Sequence, residues 1–102
     1  MAWLYVDEFS DLGIDGRGNV VMAPDYTYLL TQYRIAIGGG SIPGPAFTGQ
    51  TRFIQYHNDA ICSVAIAASP VAVVTFGRMA ANETRFVGVA PNTQAIAVIA
   101  NT

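Results

Sequence analysis

Apolar and polar positions alternate with a period of two along most of this chain. The apolar ones are rich in β-branched residues, the signature of half-buried strands and not of helices. YTYLLTQYRIAI predicts a strand from Tyr26 to Ile37. Leu29, Tyr33, Ile35 and Ile37 then share one face, because side chains alternate along a strand. TRFIQYHNDAICSVAIA predicts strands at Arg52–His57 and Ala60–Ala67, flanking a tight turn at Asn58-Asp59. SPVAVVTF is a further β-rich run, ended by Gly77. Beyond it the pattern predicts a turn near Asn82-Glu83, a strand at Thr84–Val89, a turn at Pro91-Asn92-Thr93 and a last strand at Gln94–Ala100. In that last strand Ile96 and Val98 take one face while Ala95, Ala97 and Ile99 take the other. A strand apolar on both faces belongs at the centre of a sandwich or in an interface.

Two segments break the alternation. GGGSIPGPAFTG, Gly38 to Gly49, predicts a long loop, since glycine and proline continue neither strand nor helix. Loops of that length in small domains are suspect contact elements. Residues 1–25 hold most of the acids and several glycines. They read as an arm or irregular segment with short strands at Trp3–Val6 and Asn19–Met22, ahead of a core over 26–102. The expected fold class is therefore all-β: a β-sandwich or jelly roll of short antiparallel strands with an irregular N-terminal arm, in a single domain.

Composition narrows the function classes. Of the 102 residues 52% are hydrophobic and 12% charged, about half the usual charged share. A surface so poor in charge predicts cover by other copies or by a partner. The net charge is −2, and the five basic residues are scattered arginines with no lysine. Nucleic-acid binding needs a basic stripe, so none is expected. No apolar run is long enough for a transmembrane helix, and the acids following MAWLYV do not fit a secretory leader, so no membrane partner is expected.

Candidate chemistry is sparse. The single histidine and single cysteine, His57 and Cys62, are separated by four residues. A two-residue turn at Asn58-Asp59 would put them diagonally on one face, and a three-residue turn on opposite faces. Nucleophilic catalysis also needs a lowered thiol pKa, an orienting group and an oxyanion site. The apolar setting ICSVAI favours a small buried cysteine instead. DLGIDGRGNVVM sets Asp11, Asp15 and Gly16 at calcium-loop positions, but the third position is Gly13 and the twelfth Met22, where a glutamate belongs, so it reads as a polar glycine turn. One His and one Cys do not build a zinc site, and GGGS without any lysine is no phosphate loop. No catalytic residue, metal or cofactor is expected.

The order of features from Thr51 to Ala100 resembles small structural proteins of tailed bacteriophages. An opening TR begins a strand, and a Cys-bearing strand follows. A small-residue run with proline leads to ANETRFVGVAP and a final AIAVIA. Asn92 stands where the family pattern has glycine after proline. The resemblance implies a capsid decoration or cement protein of jelly-roll type. Such a protein would be non-enzymatic and homo-oligomeric, bound to the major capsid protein or other virion proteins, and located in virions assembled in the bacterial cytoplasm. The candidate contact residues are Trp3, Tyr5 and Phe9 in the arm and Ile42 and Phe47 in the loop. A tail, collar or fibre-attachment component is the alternative within the virion. A carbohydrate-binding β-sandwich using Tyr26, Tyr28 and Tyr56 is the alternative outside it.

Overall fold

The computed structural model describes residues 2–11, 13, 17–19, 26–90 and 93–101. Eight strands occur there: β1 (Ala2–Phe9), β2 (Leu29–Ile37), β3 (Ile42–Pro43), β4 (Phe53–Asn58), β5 (Cys62–Ala67), β6 (Arg78–Met79), β7 (Thr84–Gly88) and β8 (Ala95–Ala100), with one 3-10 turn over Tyr26–Tyr28. They form two antiparallel four-stranded sheets, a front sheet in the order β2-β1-β4-β7 and a back sheet in the order β3-β8-β5-β6. The protein is a small β-sandwich. Between them, β2 to β8 follow jelly-roll order. In a jelly roll the last strand fills the slot between the first and the third. Here that slot, between β2 and β4, is filled by β1 from the other end of the chain.

Alternation explains the core. Leu4 and Val6 of β1, Ile35 and Ile37 of β2, and Ile54 and Tyr56 of β4 point inward from the front sheet. They meet Cys62, Met79, Ile96 and Val98 from the back sheet, with Phe47 among them. β8 lies inside its sheet, with Ile96 and Val98 fully buried, as its two apolar faces require.

Three expectations are corrected. Residues 2–9 are no arm: β1 is flanked by strands on both sides, because Ala2, Leu4 and Val6 form one apolar face that must be buried. The Gly38–Gly49 segment is no free loop. It carries β3, and the pairing with β8 continues through Gly44 N–H to Ile96 C=O (2.7 Å) and Phe47 N–H to Gln94 C=O (2.9 Å). Finally, β4 and β5 are not a hairpin. The chain passes between sheets at 59–61, so the diagonal placement of His57 and Cys62 expected for a two-residue turn does not occur. The expected strand at Asn19–Met22 beyond Asn19, the turn at Pro91-Asn92, and Asp15, Gly16 and Met22 of the calcium-like loop lie outside the described residues.

The β4–β5 passage is set by one side chain. Asn58 is fully buried. Its Nδ2 donates to the carbonyls of Ala60 (2.7 Å) and Ala80 (2.8 Å), and its Oδ1 accepts from the amide of Glu83 (2.8 Å). One amide thereby ties the β4–β5 passage to the β6–β7 turn, where Asn82 takes a left-handed φ of 61°.

Candidate functional site

The histidine and the cysteine are held on opposite sides of the front sheet. His57 points outward, its Nδ1 2.8 Å from the hydroxyl of Thr84. Cys62 is a free thiol buried in the core. Burial pushes the thiol pKa above its ordinary value, and the Asn58 Nδ2 at 3.5 Å only partly offsets this. A thiolate nucleophile needs the opposite shift. Cys62→Ser is therefore expected to fold and to lose roughly 1–2 kcal/mol of stability, the scale of a small buried polar mismatch. Thiol-alkylation kinetics check the burial: native Cys62 should label far more slowly than the unfolded chain.

Five aromatic and apolar residues were candidates for contact, and the structure separates them. Phe9 and Phe47 are buried and unavailable to a partner. Phe9 stacks on Phe53 with ring centroids 5.0 Å apart, and Tyr26 meets it edge-on at 5.8 Å. Phe47 fills the core between the sheets because the β3 pairing pulls its segment inward. Tyr5 is 43% exposed on the outer front face, and Ile42 is 38% exposed on β3. Trp3 is half-buried, with the Arg34 guanidinium 3.9 Å above its ring. Tyr56 faces the core, so Tyr26, Tyr28 and Tyr56 do not form one exposed platform.

What most distinguishes the surface is a segment read above as a β-rich run. Residues 68–77, between β5 and β6, contain no strand. They form a strap over the outer face of the back sheet. Ala72 is buried, and its N–H donates to the Ser41 hydroxyl (2.8 Å). The Val74 carbonyl accepts from Asn101 Nδ2 (2.9 Å), and the Gly77 carbonyl accepts from the Val64 N–H (3.0 Å). The outward residues beneath are Ser63, Ala95 and Ala97, all buried although they point away from the core. Small side chains let the strap lie close to the sheet. Gly77 is required where it closes: its φ is +68°, and a Cβ there would sit 2.2 Å from the Val64 carbonyl oxygen.

With its backbone anchored, the strap turns its large side chains to solvent. Val71 is 67% and Phe76 76% exposed, and Val73 and Val74 are exposed between them. Reading SPVAVVTF as a β-rich run missed this, because propensity alone favours pairing. The signal was in the neighbours: strands with Ser63, Ala65 and Ala67 on one side, and Ala95 and Ala97 on another, leave room for a layer outside the sheet.

The buried carboxylate of Glu8 has a structural use. Its Oε1 accepts from the Thr48 amide (3.0 Å) and the Thr51 hydroxyl (2.7 Å), pinning the segment that carries Phe47. Burial and the Glu8 charge push the nearby Tyr33 phenol well above its ordinary pKa. Among the described residues no group of three His, Cys, Asp or Glu side chains is placed to hold a metal ion, and no helix is long and apolar enough to cross a membrane.

No family model, curated protein or solved structure matches the chain.

Proposed function

We propose that this chain is a non-enzymatic structural protein of a phage virion, a capsid decoration or cement protein that binds the assembled shell through the 68–77 strap. The observation that carries the reading is the strap itself. Val71, Val73, Val74 and Phe76 are held out on an anchored backbone. An apolar patch presented in this way is what the core of a protein interface uses. The low charge content supports the same reading, since 12% charged residues leave little for an electrostatic interface. The resemblance over Thr51–Ala100 supplies the setting. Jelly-roll strand order agrees with it at the level of fold analogy only. Repeated copies on a symmetric shell would add avidity to individually modest contacts.

The test is co-sedimentation of the purified protein with undecorated capsids and, separately, with purified tails. Saturable binding to capsids is expected. Adding salt should weaken it only slightly, because screening acts on charge pairs and not on apolar burial. Binding to tails alone would move the protein to the tail, collar or fibre-attachment role. Binding to neither would remove the virion reading.

A further inference from the structure

The β1–β2 ladder is regular from Ala2, opposite Ile37, to Glu8, opposite Thr31, and its register shifts only beyond Glu8. Over that stretch alternation turns Trp3, Tyr5 and Asp7 of β1 and Gln32, Arg34 and Ala36 of β2 to the outer face of the front sheet. Tyr5 lies directly opposite Arg34, and Asp7 directly opposite Gln32. These four residues line a shallow hollow of about 300 Å³, bordered also by Tyr33. On the far side of Tyr5, across the β1–β4 pairing, stands His57, its ring tied to Thr84.

The polar side chains of this hollow are held in place, unlike those of an ordinary solvated face. The Arg34 guanidinium lies 3.9 Å over the Trp3 ring. The Asp7 carboxylate accepts hydrogen bonds from the Gln32 amide and the Tyr26 hydroxyl. Burial raises the Asp7 pKa, and these two bonds only partly offset it. Gln32 and Arg34 are nonetheless exposed, and Tyr5 is 43% exposed beside them. Side chains fixed before a ligand arrives lose little freedom when it binds.

We propose that this hollow binds a neutral glycan, with one sugar ring stacked on Tyr5 and its hydroxyls bonded by Gln32 and Arg34. The ligand class follows from the side chains. An exposed aromatic ring takes the C–H face of a pyranose. To the hydroxyl rim, an amide offers both donor and acceptor, and a guanidinium offers several donors. Asp7 and Arg34 carry opposite charges in one hollow, which leaves no net charge to select an anion or a cation. Phe86 is exposed on the same face beyond β4, opposite Gln55, and gives a longer glycan a second ring. The strap lies on the other sheet, so the proposal does not rest on the capsid reading.

The experiment is calorimetric titration of the full chain with neutral hexasaccharides of glucose, mannose and N-acetylglucosamine, and with an acidic one, hexagalacturonate. Saturable binding of at least one neutral hexasaccharide at millimolar concentration or below is expected, and added salt should not change it. Tyr5→Phe keeps the ring and should bind within about twofold of the intact chain. Tyr5→Thr keeps strand propensity and should weaken binding by about tenfold or more. Gln32→Ala, at an exposed position, should weaken it by about two- to tenfold. Phe76→Ser, on the strap, should leave it unchanged. No binding of any neutral hexasaccharide, preference for the acidic one, undiminished binding by a folded Tyr5→Thr, or loss of binding in a folded Phe76→Ser would each overturn the proposal. If Tyr5→Thr does not fold, Gln32→Ala decides, and undiminished binding by it overturns the proposal.

Discussion

Deletion of residues 1–9 is expected to abolish cooperative folding. β1 sits between β2 and β4 in the front sheet, so its loss strips both neighbours of their ladder partner. It also removes Leu4 and Val6 from the core, and with them Glu8, which pins Thr48 and Thr51. For a domain of this size net stability is only about 5–15 kcal/mol, and losing an interior strand exceeds that. Leu4→Ala gives a graded version. It should remain folded and lose about 2–5 kcal/mol, the range for a leucine truncated inside a packed core. Circular dichroism melts of both forms check this. A truncated protein that melts cooperatively near the intact temperature would mean that β1 is dispensable, as an arm would be.

The second large effect is expected at Asn58. Asn58→Ala removes the donor shared by the Ala60 and Ala80 carbonyls and the acceptor of the Glu83 amide. Leaving such groups without partners in a partly buried site should cost about 2–4 kcal/mol. At about 4–8 °C per kcal/mol for a domain of this size, the melting temperature should fall by roughly 8–30 °C. Asn58→Asp separates the two halves of the side chain. It keeps the acceptor for Glu83 but turns a carboxylate toward two carbonyl oxygens, so it should be no more stable than Asn58→Ala. If aspartate restores the melting temperature, the donated bonds do not set the β4–β5 passage.

These two sites also show what the sequence made legible. The period-two pattern in YTYLLTQYRIAI and QAIAVIA identifies β2, β8 and the residues that they bury, because alternation fixes which side chains point inward. It does not fix which sheet a strand joins. HNDA at Asn58 reads as a hairpin turn because asparagine and aspartate suit one. The buried amide of Asn58 instead reaches positions 80 and 83, contacts with no local signature. Trp3 to Val6 was legible as a short strand, but its place between β2 and β4 is a long-range fact, and the acids that follow at Asp7 and Glu8 disguise it. Glu8 is tolerated inside because hydroxyl and amide donors meet it.

The placement of the candidate contact residues was not legible in the sequence. Low charge and surplus apolar residues predict a contact protein, yet two of the five chosen contact residues, Phe9 and Phe47, are core residues. Large apolar side chains in an irregular segment look alike whether they face in or out. The strap shows the converse, since Val71, Val73, Val74 and Phe76 have the composition of a strand and lie in the open. The anchors of Ala72, Val74 and Gly77 hold their backbone there.

The most direct test of the account is therefore made on the strap. Val71→Ser, Val74→Ser and Phe76→Ser are combined in one protein, and its binding to undecorated capsids is compared with that of the intact chain. The three side chains are exposed, so each substitution should change stability by no more than about 0.5 kcal/mol, and melting should confirm an intact sandwich. The account predicts that the folded triple variant no longer co-sediments with capsids that the intact protein saturates. Undiminished binding by the folded variant would contradict it and place the contact elsewhere on the molecule.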